Sequence, residues 1–335
     1  MRQDTAARHF VTARRAMLGN RMWVLLVYAL PAVLGCLTLS ACGESTAPSS
    51  SAAAPGPVTR SEMTFVDASR PTAPNGTYPG APQRTLRTVL WQPASSQPLP
   101  LFVMAHGFSG LPEDYDAVAP TIAAAGFVVA LPAFPLTNAN APGGYQHALL
   151  DVVNQPADVS FVISQLLDAN TGPGDLHGRL VADQIAVLGH SLGGTTVIVL
   201  TRKDCCRDTR VRGAILFAPA PVDFFGPLFD AQPITAGPPT LLINGTADMA
   251  IAYSATAALY EGIDPPKFLL GITGADHTDA LNGHTLPLSD LQSVSVRAII
   301  GFLNALFRGR GAEFVQTLAA LAAEGNPVTS DGTLP

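Results

Sequence analysis

The chain has 335 residues, 47% of them hydrophobic and only 13% charged, about half the usual charged share of roughly 25%. Such a chain folds around a core or enters a membrane and is not a disordered polyelectrolyte. The formal net charge of −6 and the scattered basic residues supply no electrostatic footprint for a polyanion, so no nucleic-acid partner is expected.

In chain order, Arg2, Arg8, Arg14, Arg15 and Arg21 with one acid, Asp4, precede Met22–Ala41, 20 residues without a charge. That length suits an export h-region or a membrane span. Leu39-Ser40-Ala41-Cys42 resembles the bacterial lipobox, in which small residues fit the signal peptidase and the cysteine thiol is acylated before cleavage. The expectation is a lipoprotein signal peptide over residues 1–41 and a lipidated Cys42 that attaches the protein to the extracytoplasmic side of a bacterial membrane. A retained helix is the alternative. Arg14-Arg15 also resemble a twin-arginine signal, which leaves the export route open. Ser, Ala, Pro, Gly and Thr dominate residues 43–58 and cannot bury enough surface to fold, so residues 42–83 read as a tether and lead-in.

From residue 84, short apolar runs bounded by Gly and Pro alternate with segments of helical period. This pattern predicts an α/β domain with a doubly wound, mostly parallel sheet over residues 84–324, a single domain followed by a flexible tail over 325–335. Predicted strands are Thr85–Trp91, Leu99–Ala105, Phe127–Leu131, Gln184–Leu188, Gly213–Phe217, Thr240–Asn244 and Lys267–Ile272. Predicted helices are Glu113–Ala125, Ala157–Asn170, Ser191–Thr201, Tyr253–Gly262, Ser289–Phe307 and Ala312–Glu324. Two connections, Ala133–Gln155 and Pro219–Gly237, exceed the usual 2–6 residues, and long loops of this kind build sites. Cys205 and Cys206 are the only cysteines beyond Cys42. Their Cα atoms, about 3.8 Å apart, sit closer than a relaxed disulfide prefers, so the pair reads as two thiols in a charged loop, with a strained vicinal disulfide as the alternative.

The fourth predicted strand ends in Gly189-His190-Ser191-Leu192-Gly193 and passes into a helix. A G-x-S-x-G run between strand and helix is a nucleophile elbow, where the glycines remove Cβ atoms that would block the turn. A serine hydroxyl needs a base, and the base an orienting carboxylate. Both follow at later strand ends, Asp248 in Asn244-Gly245-Thr246-Ala247-Asp248 and His277 in Gly274-Ala275-Asp276-His277. Asp223 is a rival acid and His284 a rival base; His190 reads as a packing residue beside the site and His106 as a brace of its turn. Two backbone N–H groups suffice for the developing oxyanion: those of Leu192 and of Phe108 in His106-Gly107-Phe108-Ser109-Gly110. Phe224, Phe225 and Phe229 crowd the Pro219–Gly237 connection and are candidates for a substrate pocket or a satellite core.

With these motifs the chain, over about residues 84–307, resembles the α/β-hydrolase superfamily, in particular dienelactone hydrolase-like enzymes that include platelet-activating-factor acetylhydrolase-like and cutinase-like esterases. The resemblance implies a Ser191, Asp248, His277 triad with oxyanion donors at Phe108 and Leu192. It implies hydrolysis of small or lipid-like carboxylic esters through an acyl-enzyme, with no metal and no organic cofactor. Dienelactone hydrolases proper carry a cysteine where this chain has Ser191. Polyester hydrolysis, acyl transfer to an alcohol and noncatalytic binding of an apolar ligand stand as alternatives.

Overall fold

Nine strands make one sheet in the computed structural model, which describes residues 57–222 and 236–335. They are β1 (Val58–Asp67), β2 (Arg84–Pro93), β3 (Leu99–Ala105), β4 (Val128–Pro132), β5 (Leu180–His190), β6 (Val211–Phe217), β7 (Thr240–Gly245), β8 (Lys267–Ile272) and β9 (Val328–Asp331). Their order is β1-β2-β4-β3-β5-β6-β7-β8-β9. The run from β4 to β8 is parallel, while β2 meets β4 and β9 meets β8 antiparallel.

The central strands are apolar throughout because both faces of the sheet are covered. Leu101, Val103 and Ala105 of β3 enter one core with Val197 and Leu200 of α3 (Leu192–Arg202) and Val159 and Ile163 of α2 (Gln155–Thr171). Phe102 and Met104 point the other way, into a core with Val118 and Ile122 of α1 (Val118–Ala124), Ile299 and Phe302 of α5 (Asp290–Arg308) and Phe314 of α6 (Gly311–Ala323). The period-2 pleat thus divides each strand between two hydrophobic layers. Helix α4 (Tyr253–Gly262) follows β7. No helix of the described residues is long and apolar enough to cross a membrane.

Three expectations are corrected. The sheet has nine strands rather than seven, because the lead-in contributes β1 and the tail contributes β9. The helix expected over Glu113–Ala125 divides into a 3-10 turn, Pro112–Tyr115, and α1. Between them Ala117 N–H donates to Gly283 O and Gly283 N–H donates to Asp114 O, so a tertiary contact takes the groups that a continuous helix would pair internally. Cys205 and Cys206, read as two thiols, are joined as a vicinal disulfide in the turn after α3.

Candidate active site

Ser191 sits between β5 and α3 with φ 53° and ψ −117°, a strained conformation for a residue with a Cβ. The surroundings hold it there. Its N–H donates to Phe217 O at the end of β6, and its carbonyl accepts from Ala220 N–H, both at 2.9 Å. A Cβ on Gly189 would stand 2.0 Å from Gly193 O, and one on Gly193 would stand 2.2 Å from Ala105 O. These positions therefore take only glycine, and the turn presents the Ser191 hydroxyl above the carboxyl ends of the strands.

Two loops along the same edge bring Asp248 and His277 together. His277 Nδ1 lies 2.7 Å from Asp248 Oδ2, while Asp248 Oδ1 accepts the Ala250 and Ile251 N–H groups at 2.8 Å each. A carboxylate accepts only, so the imidazole proton belongs on Nδ1 and Nε2 is left as the basic nitrogen. Asp248 is buried, and His277 shares a small cavity with Ser191.

Three other histidines separate cleanly. His106 Nε2 accepts Phe134 N–H at 3.0 Å, so its Nδ1–H donates to Gly107 O at 2.7 Å. His190 donates from Nε2 to His277 O at 3.0 Å, which leaves its Nδ1 to accept from Tyr115 O–H at 3.3 Å. Burial pushes both imidazoles down to about 4, so both are neutral braces at neutral pH. His190 does more than pack: it supports the backbone of His277 itself. His284 faces Glu113 O at 3.0 Å and is exposed. Asp276, next to His277, accepts N–H bonds from Met249 and His277 and closes a turn.

The turn after β3 lies over Ser191, where a Cβ on Gly107 would stand 3.2 Å from Ser191 Cβ. Ser109, at φ 60°, donates its N–H to Thr137 O at 2.7 Å. Among the described residues the Phe108 and Leu192 N–H groups have no acceptor. Unpaired donors at a helix N-terminus and an adjoining turn are what an oxyanion requires.

Two cavities meet at Ser191. One, about 400 Å³, is walled by Phe108, Leu149, Leu192, Pro221, Ile251 and Ala255. The other, about 140 Å³ and more polar, is walled by Asp114, Tyr115, His190, His277, Thr278 and Asn282. Sequence patterns did not single out Leu149, Ile251 or Ala255, because small and aliphatic loop residues look alike in a sequence until the fold places them. Phe224, Phe225 and Phe229, the expected pocket residues, lie outside the described residues, as do Asp223 and Cys42. Among the described residues no three His, Cys, Asp or Glu side chains converge to hold a metal ion.

Residues 146–258 match the family described as platelet-activating factor acetylhydrolase, isoform II. That span includes Ser191 and Asp248 and stops short of His277. Among solved structures, the ferulic acid esterase from Streptomyces cinnamoneus superposes with a TM-score of 0.58 at 21% identity, over 76% of this chain and 91% of that one. A comparison with curated proteins finds no match. The chain has the α/β-hydrolase fold, and the family match supports ester hydrolysis.

Proposed function

We propose that this α/β-hydrolase is a serine carboxylesterase. The observation that carries the reading is the Asp248–His277 hydrogen bond of 2.7 Å in a cavity that Ser191 shares. His277 Nε2 takes the proton of Ser191 Oγ as the oxygen attacks the ester carbonyl, and Asp248 holds the tautomer and stabilises the imidazolium. The Phe108 and Leu192 N–H groups receive the oxyanion. His277 then passes its proton to the leaving alcohol, and water, activated by the same imidazole, cleaves the acyl-enzyme.

Proton delivery assigns the two cavities. The alcohol must leave beside His277, on the polar side, so the acyl chain occupies the apolar cavity behind Phe108 and Ile251. At about 400 Å³ that cavity falls within the range that holds small organic ligands, which favours acyl groups longer than acetyl. With nitrophenyl esters from acetate to octanoate, a burst equal to the enzyme concentration is expected. kcat/KM should rise roughly three- to fourfold for each added buried methylene until the cavity is full. Ala255→Phe, which fills the cavity, should flatten the rise; a wild-type preference for acetate would overturn the acyl assignment.

The protein is further read as a lipoprotein anchored through Cys42, on the strength of the Leu39-Ser40-Ala41-Cys42 motif. Mass spectrometry of the mature protein should find an acylated Cys42 as its first residue, and Cys42→Ala should leave the precursor uncleaved. An unmodified Cys42 in the wild type would refute the anchor.

A further inference from the structure

Gln155 opens α2 and is fully buried, yet it lines neither cavity at Ser191. Both ends of its amide are used. Its Oε1 accepts from Thr196 Oγ1 on α3, and its Nε2 donates to Thr137 Oγ1 at 2.7 Å. Thr196 lies one helical turn beyond Leu192, with its hydroxyl 3.3 Å from Leu192 O. Thr137 in turn holds, through its carbonyl, the N–H of Ser109, the residue after Phe108.

One side-chain amide therefore connects the helix that carries the Leu192 donor to the turn that carries the Phe108 donor. Burying an amide is costly unless both its ends are satisfied, and an apolar side chain of similar volume would fill the same space without that cost. What an apolar residue could not do is hold a fixed distance between α3 and the 133–154 loop. The strained φ of Ser109 is a weak point, because with Thr137 released the turn can relax and carry the Phe108 N–H with it.

We infer that Gln155 is a positioning residue that sets the separation of the two oxyanion donors, through Thr196 on one side and Thr137 and Ser109 on the other. The inference rests on the esterase reading and adds a residue to it. Misplacing one donor affects the transition state more than the bound ester, so its effect falls on kcat rather than KM.

Three variants of the full chain test this, each checked by circular dichroism. Gln155→Met removes both bonds, Thr196→Val removes one without changing shape, and Thr196→Ser keeps the hydroxyl. Gln155→Met should lower kcat roughly 10- to 100-fold with KM unchanged. Phenylboronic acid, whose adduct with Ser191 places an anionic oxygen between the donors, should lose affinity in proportion. Thr196→Val should lose part of this and Thr196→Ser almost nothing. Where Gln155→Met fails to fold, the two Thr196 variants decide. Unchanged kcat and boronate affinity in folded Gln155→Met or Thr196→Val, or an equal loss in Thr196→Ser, would overturn the inference. Ser191→Ala measured alongside separates the two levels: if it is inactive, failure stops at Gln155, and if it keeps full activity, the esterase reading and this inference fall together.

Discussion

Ser191→Ala and His277→Ala are each expected to lower turnover by about 10⁶-fold, and the double variant should be scarcely worse, since the proposed nucleophile and base act as one unit. Asp248→Asn should cost roughly 10⁴-fold and leave measurable activity. The reason lies in how Asp248 is held. Its Oδ1 already accepts two backbone N–H groups, from Ala250 and Ile251. In the amide that position must remain the oxygen, so the NH₂ replaces Oδ2 and faces His277 Nδ1. An NH₂ donates where the carboxylate accepted; the imidazole then carries its proton on Nε2 and is no longer a base. Steady-state kinetics on a nitrophenyl ester, with circular dichroism to confirm folding, measures all of this. Full activity in Ser191→Ala would leave an apolar-ligand binding protein as the better reading. A crippled Asp223→Asn beside a near-normal Asp248→Asn would move the acid to the connection after β6.

Arg84→Met should be among the most destabilising single changes in the fold. Arg84 is completely buried at the start of β2. It forms paired bonds to Asp158 at 2.7 and 2.6 Å and to Asp151 at 3.0 and 2.9 Å. Burial alone would lower its affinity for a proton, but the two carboxylates outweigh this and hold the guanidinium firmly charged. Removing it leaves two buried carboxylates, with Arg70 as the remaining cation at Asp158 among the described residues and only the neutral Asn154 amide donating to Asp151, a situation that costs about 3–5 kcal/mol. The sign with pH follows. An unpaired buried carboxylate has a folded-state pKa above its unfolded value, so the variant recovers stability as acid protonates it and loses stability as pH rises through the raised pKa. Thermal unfolding should show Tm roughly 10 °C below wild type at neutral pH, with a smaller gap near pH 5. An equal gap at both values would mean that the carboxylates are not the cause.

The two readings that sequence yields most readily, parallel strands and an elbow, are both local. β3 to β8 are apolar runs with breakers at their ends, and a strand covered on both faces leaves that mark wherever it occurs. β1, Val-Thr-Arg-Ser-Glu-Met-Thr-Phe-Val-Asp, buries only Phe65 and Asp67 fully, and β9 has four residues with no fully buried side chain. Edge strands of this kind look like loops, because their pairing comes from a neighbour's backbone and not from their own hydrophobic content. The positions of Ser191, Asp248 and His277 were legible because each follows a strand end. Gln155 was not, since its partners lie 18 and 41 residues away and nothing at a helix N-terminus announces them. Arg84, paired with acids 67 and 74 residues distant, was hidden for the same reason.

β1 begins at Val58, which pairs with Pro93, the last residue of β2, and β2 runs opposite to β4. The chain therefore enters the sheet at the amino-terminal ends of the parallel strands, while Ser191, Asp248 and His277 follow the carboxyl ends of β5, β7 and β8. The domain thus has an entry end and a candidate-site end, separated by a strand length of about 20 Å. A load applied at residue 58, whether through a fusion partner or a solid support, therefore acts at the end of the sheet opposite the one where the two cavities open.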